Sequence, residues 1–410
     1  MRIKTNIDRW SMGLCVFVVA ASLAGLPACG GSPKETEEPT PAIDKEEEGK
    51  KAFTQAVAAE ESGDIAAAEM HYIKASEMRP THFETAERYV RFLIEKKREG
   101  VEAVKVAKAF LERAPDELSG YMLLADAQIA ADDPDAAYQT LTDLIALDAT
   151  AAAYAKRGKL QVRRGEHDPG VADIREAIKL DGANLDHQVA LGDAMKEQGK
   201  LDEAAEVLQV VLKDDPEHIG ALLSYGAVLR DQGDPDQAFE LHQRAVELDG
   251  SDHRTHYELG ISQFYLRKNE EAEASLQRAT QLEPRDAQSW YVYGELLRNR
   301  QEYEQAADKY RKAREIDIDH DKASTKLALM LIYLATAEAF DEARTVLQAR
   351  IEREPKDAAA HFLLGEVYEK QEQYAEALAS YEAFIEIAER GDPDISQARR
   401  KVRQLKSKVR

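Results

Sequence analysis

Cysteine is almost absent: the 410 residues hold two, Cys15 and Cys29, both within the first thirty positions. Neither a disulfide framework nor a thiolate metal site can be built in the long remainder. Apolar–polar alternation over strand lengths is equally hard to find, which argues for an all-α fold. Positive charge is in deficit, with 55 Lys and Arg against 77 Asp and Glu and a formal charge of −22. Binding to nucleic acid draws most of its affinity from clustered cations on phosphates, so this balance disfavours that class. The acidity gives solubility and a preference for basic partners.

Catalytic signatures are missing too. There is no HExxH and no GxSxG, and Gly199-Lys200 lacks the glycine that a phosphate-binding loop needs at position 194. Asp317, Asp319 and Asp321 alternate as in a calcium loop, but its twelfth position is Ala328 and the loop glycine is absent. His253 and His256 are three apart without an evident third ligand. The expectation is a chain with no catalytic residue, no metal and no cofactor.

The longest uncharged apolar run, Met12 to Leu26, follows Arg2, Lys4 and Arg9 and is too short for a comfortable membrane span. It ends in Leu26-Pro27-Ala28-Cys29, which resembles a bacterial lipobox, with proline departing from the commoner residue before Ala28. The resemblance implies a signal peptide over 1–28, cleavage before Cys29 and a diacylglyceryl chain on its thiol. Gly30, in place of aspartate, resembles the pattern that sorts lipoproteins to the outer membrane, facing the periplasm. Residues 29–48 are rich in proline and glutamate and are expected to be a disordered tether.

Beyond the tether the chain is periodic. Gly158, Gly192, Gly226, Gly260 and Gly294 follow one another at a step of 34, and Ala204, Ala238, Ala272 and Ala306 run alongside. Pro216 and Pro284 mark ends at the same step, with Gly250 and Ile318 in the alternate places. A glycine inside a helix costs about 1 kcal/mol relative to alanine, so its recurrence needs a packing reason. Small residues twelve apart let the two antiparallel helices of a hairpin nearly touch.

This pattern resembles the tetratricopeptide repeat. Trp290, Tyr293, Gly294, Leu297, Ala306, Tyr310 and Ala313 carry nearly the whole motif, and His361, Leu364, Gly365, Tyr368, Ala377, Tyr381 and Phe384 give a second copy. The resemblance covers roughly 49–391 in ten repeats, starting near 49, 84, 118, 151, 185, 219, 253, 287, 321 and 358. It implies an all-α, right-handed superhelical α-solenoid of about ten helix hairpins. Residues 392–410 follow as a basic amphipathic capping helix with Ile395, Ala398, Val402, Leu405 and Val409 on one stripe.

Three local irregularities stand out. Arg91 sits where a small residue is usual, and Glu166-His167-Asp168-Pro169-Gly170 reads as a disturbed turn. Ala306 to Ala343 is 37 residues, so the ninth repeat carries three extra, read as a lengthened helix or as a contact surface.

Partners of the resembling family lie in a concave groove formed by first helices. Its positions offer Val189, Asp193 and Lys196, then Leu223, Ala227 and Arg230, and further on an aromatic patch. The groove contacts expected from that patch are Tyr257, Ile261, Phe264, Tyr291, Glu295 and Arg298. The lysine–asparagine pair of a carboxylate clamp is absent, so recognition of an acidic chain terminus is not supported. The reading is a lipid-anchored scaffold for envelope proteins or peptides, held to the membrane through Cys29. The alternatives are a carrier of a hydrophobic ligand or polymer in the groove, and a self-assembling structural protein; oligomeric state is not legible.

Overall fold

Seven of the ten helix hairpins begin with a side-chain cap. In the eighth, the Asp286 carboxylate accepts from the Ser289 N–H at 2.9 Å and starts a thirteen-residue helix. That helix ends at Asn299, Gln301 in the turn beyond adopts the left-handed conformation (φ 62°), and a second helix runs back along it. The computed structural model describes residues 44–317 and 322–409, and twenty of its helices pair in this way.

The first helices are α1 (Lys45–Ser62), α3 (Phe83–Phe92), α5 (Ser119–Ala130), α7 (Ala151–Arg163) and α9 (Leu185–Glu197), then α11 (Ile219–Gln232), α13 (His253–Tyr265), α15 (Ala287–Asn299), α17 (Ala323–Leu334) and α19 (Ala358–Lys370). Their partners are α2 (Ile65–Met78), α4 (Gly100–Arg113), α6 (Pro134–Leu147), α8 (His167–Leu180) and α10 (Leu201–Asp214), then α12 (Pro235–Leu248), α14 (Asn269–Leu282), α16 (Tyr303–Ile316), α18 (Ala337–Arg353) and α20 (Tyr374–Ile387). A last helix, α21 (Ile395–Leu405), lies on the tenth hairpin. No strand occurs among the described residues.

Inside the hairpins the glycines face large side chains sixteen residues on, not the alanines twelve on that the spacing suggests; only Gly158 meets its own ladder partner, Gly170. A Cβ on Gly294 would come within 2.7 Å of the Tyr310 ring, and one on Gly192 within 2.6 Å of Leu208. The glycine is therefore the notch into which the second helix sets a large side chain. Ala204, Ala238, Ala272 and Ala306 are all fully buried. Successive first helices touch from α7 through α15, whereas no pair of second helices touches to that extent among the described residues. First helices thus line the concave side and second helices the outer one. The array also comes round on itself: Arg285 Nη1 donates to the Lys96 carbonyl at 3.3 Å, across 189 residues of sequence.

The irregularities have physical explanations. Glu166-His167-Asp168-Pro169-Gly170 is not a disturbed turn but the first turn of α8, where the missing N–H of Pro169 has no helical partner to lose. Gly170 occupies the alanine ladder position, 34 before Ala204. In hairpin 2, α3 ends in a π turn over Leu93–Lys97 that takes up an extra residue. Val90 is buried there, and Arg91 turns out to pair with Glu87 at 3.2 Å. The three extra residues of the ninth repeat lengthen its second helix, not the apolar first one: α18 has 17 residues where its counterpart α16 has 14. Thr336 caps it, accepting from the Ala339 N–H at 3.1 Å.

The first helix starts at Lys45, inside the stretch read as tether, because Asp44 caps it and Glu46, Glu47 and Glu48 suit its positive N-terminal end. The signal peptide, Cys29 and the remainder of the tether lie outside the described residues, as do Asp319 and Asp321. No described helix is long and apolar enough to cross a membrane. At the other end, Ile395, Ala398, Val402 and Leu405 pack on Phe362, Tyr381 and Phe384. Lys401 reaches Glu369 at 2.8 Å and Lys406 reaches Glu382 at 2.9 Å, while Arg399, Arg400 and Arg403 face solvent.

Candidate functional site

Small residues open the groove. On α11 the concave stripe reads Gly220, Leu223, Ser224 and Ala227, spaced i, i+3, i+4 and i+7, so little side chain fills the space in front of it. Val189 and Ala190 of α9 extend this floor. The result is a cavity of about 500 Å³ built by five successive first helices. Lys159 comes from α7, Asp186, Asp193 and Lys196 from α9, and Tyr257 and Glu258 from α13. Asp286 and Gln288 close the far end at the start of α15. A second cavity, about 530 Å³, adjoins it between hairpins 4 and 5 and shares Lys159, Ala190 and Asp193 as its lining.

Most charges on this surface are already paired. Glu258 accepts from Arg230 at 2.6 Å, and Arg254 grips Asp252 at 2.6 Å. Lys196 lies 3.3 Å from Glu197 and 3.7 Å from Asp231. The Tyr257 hydroxyl accepts from Gln288 at 3.3 Å, and burial beside the Glu258 charge pushes its phenol up to about 12. Asp193 differs. Crowding by the groove walls pushes its carboxyl upward against the opposing pull of the Ser224 hydroxyl, Lys196 and Lys159.

The expected patch is divided by the structure. Tyr257 lines the cavity and Ile261 and Phe264 do not, while Tyr257, Phe264 and Tyr291 all pack, half-buried, against the core shared by hairpins 7 to 10. The Tyr291 ring lies 5.7 Å from that of Tyr310, in the seam of its own hairpin. Glu295 and Arg298 neutralise each other at 2.8 Å, and Tyr310 donates to Glu295 at 2.5 Å. Burial works to raise the Glu295 pKa, yet Tyr310, Arg298 and Lys326 outweigh it and hold the carboxyl below its usual range. Ile261, Phe264, Tyr291, Glu295 and Arg298 are thus not among the residues that line the cavity. His253 and His256 do not converge either: His256 Nε2 donates to the Gly250 carbonyl at 3.2 Å, while His253 lies 3.7 Å from Asp252. No group of His, Cys, Asp and Glu among the described residues is arranged to hold a metal ion.

One buried group beneath the groove escaped the sequence reading. His242 of α12 is fully buried under Gly226, whose added Cβ would meet its Nε2 at 2.2 Å. Nε2 lies 3.2 Å from the Leu223 carbonyl, which can only accept, so the other nitrogen accepts from the Ser262 hydroxyl at 2.8 Å. Burial pushes the imidazole pKa down, against the opposing charge of Glu258. The signal was available: the ladder position reads Leu208, His242, Leu276 and Tyr310, and Ser262 stands between Val228 and Leu296.

Three family matches run without a gap from 155 to 395. Residues 155–219 match a tetratricopeptide repeat, 197–279 match subunit 3 of the anaphase-promoting complex, cyclosome, and 272–395 match the TPR domain of cytochrome c-type biogenesis protein H. No curated protein matches the chain. Among solved structures, the Cut9–Hcn1 hetero-tetramer of APC/C is similar at 15% identity and a TM-score of 0.51, with 87% of this chain and 76% of that one covered. Yeast Tom70 is similar at 13% identity and a TM-score of 0.40, over 89% and 97% of the two chains. A thermophilic TPR protein of Thermus thermophilus is similar at 18% identity and a TM-score of 0.42, over 45% and 100%. Ladders, hairpins and matches point the same way, and the chain is a tetratricopeptide-repeat protein, an all-α solenoid of ten hairpins with a terminal capping helix among the described residues.

Proposed function

We propose that this protein is a non-catalytic scaffold of the bacterial cell envelope, anchored by a lipid on Cys29, which holds a segment of a partner protein in its concave groove. The carrying observation is the convergence of five first helices on one cavity with a small-residue floor and polar walls. A cavity of that size suits a few residues of a bound segment. Leu26-Pro27-Ala28-Cys29 supports the anchor, and the match to a biogenesis protein supports a task in assembling another envelope component. Tandem hairpins with neighbour-only packing provide an extended surface for such contacts.

Two results test this reading. A photo-crosslinking residue in place of Ala227, on the groove floor, is expected to give a discrete adduct in intact envelopes. One in place of Val210, exposed on α10, is expected to give none. Adducts of equal yield at both positions, or none at either, would overturn the groove. Separately, growth with an alkyne-bearing fatty acid is expected to label the protein, and Cys29→Ser is expected to abolish the label and release the protein from membranes. Unchanged membrane retention in that variant would remove the lipid anchor from the proposal.

A further inference from the structure

The charges of the groove name the kind of segment it takes. Counted with the residues they pair with, they are four cations against seven carboxylates, on a chain that is itself at −22. Within this surface the carboxylates of Glu258, Asp231, Asp252 and Glu197 are engaged by arginine or lysine, Asp286 is spent on capping α15, and Asp186 lies 3.5 Å from His218 at the outer rim. Asp193 is exposed on the wall with no cation at ion-pair distance among the described residues, and it stands where the two cavities meet.

We propose that the groove accepts an extended basic segment, with one lysine or arginine side chain seated on the Asp193 carboxylate and its alkyl stem lying along Val189, Leu223 and the Tyr257 ring. This rests on the scaffold reading and specifies the partner's chemistry. The apolar floor matches the stem, and the uncompensated carboxylate matches the charged head. Acidic segments are opposed by the local excess of carboxylates.

The probe is a phage-displayed library of random dodecapeptides, selected on the whole soluble protein body. Wild type is expected to enrich peptides with lysine or arginine at one fixed position. Asp193→Asn is expected to weaken the selected peptides by about tenfold or more, and raised salt to weaken them in wild type. Lys159→Gln, which removes a neighbouring cation, is expected to leave binding equal or tighter. Enrichment without a basic position, or basic peptides that bind Asp193→Asn undiminished, would overturn the seat while leaving the groove intact. Failure to enrich any peptide, alongside a discrete Ala227 adduct in envelopes, would likewise sink the basic-segment inference alone. Loss of both would sink the scaffold reading.

Discussion

Gly158→Ala is expected to loosen the fourth hairpin more than the matching change in any hairpin where the glycine faces a side chain. A Cβ at 158 would lie 2.7 Å from the Gly170 carbonyl oxygen and 3.1 Å from the Ile174 backbone nitrogen. Backbone atoms cannot swing aside, so α7 and α8 must move apart. At Gly192 the nearest atoms belong to the Leu208 side chain, which can change rotamer. Overpacking costs about 1–3 kcal/mol, against a helix-propensity gain of about 1 kcal/mol from replacing glycine. With backbone atoms in the way the cost falls at the upper end, and a net loss of up to about 2 kcal/mol corresponds to hydrogen-exchange protection in α7 and α8 falling by up to about 30-fold. The distant α19 and α20 are expected to keep theirs, because solenoid contacts are local. Equal or greater loss from Gly192→Ala would contradict the assignment of hairpin 4 as the tightest of this pair.

The second large effect concerns acid. His242→Leu is expected to flatten the pH dependence of stability between pH 7.5 and 5. In the folded chain the imidazole pKa lies below its ordinary value because burial disfavours the charged ring. The unfolded chain binds its proton near the ordinary value of about 6.5. Below that pH the unfolded state therefore holds more protons than the folded one, and stability falls as pH falls. The slope from this one residue is about 1.4 kcal/mol per pH unit, continuing until the folded imidazole itself titrates. Above pH 7 neither state is charged and the term vanishes. The charged groups facing the ring, Glu258 from α13 and Arg230 from α11, pair with each other and stay in both proteins.

At pH 7.5 the leucine variant loses two hydrogen bonds and leaves the buried Ser262 hydroxyl unpaired, at a cost of about 1–3 kcal/mol. Leu208 and Leu276 show that leucine fits under a ladder glycine, so packing offsets part of that loss. The measurement is urea unfolding at both pH values. Wild type is expected to lose more than the variant on acidification, and equal losses would remove His242 as the source. Adding Ser262→Val, the residue found at the equivalent Val228, is expected to recover the neutral-pH loss.

The fold was legible where steric necessity repeats a residue type. A large side chain set against the facing helix demands a glycine notch there, and Gly192 to Gly294, with the buried Ala204 to Ala306 alongside, announced the period. A further ladder was not legible. Every hairpin turn holds one left-handed residue, at 63, 98, 132, 165, 199, 233, 267, 301, 335 and 372, yet only four of the ten are glycine. Packing of the flanking helices imposes that conformation on Arg98, Gln301 or Glu372 without needing the residue that favours it locally. The groove was half legible for a similar reason. A search for large anchors finds Tyr257, which lines the cavity, with Phe264 and Tyr291, which do not, whereas the cavity exists because Gly220, Ser224 and Ala227 are small. Space leaves no residue to notice. Lys159 was within reach of the same periodicity, since it lies 34 before Asp193.

The hydrogen bond from Arg285 to Lys96 bears on how readily the coil opens. It joins the π-turned end of the second hairpin to the loop just before Asp286, at the rim of the cavity. A chain held only by neighbouring hairpins behaves as a spring, and this contact latches one coil of it. The latch is light: a single exposed hydrogen bond contributes about 0.5–1.5 kcal/mol, close to thermal energy. Opening this coil therefore costs little more than that one hydrogen bond and leaves the packing within every hairpin intact.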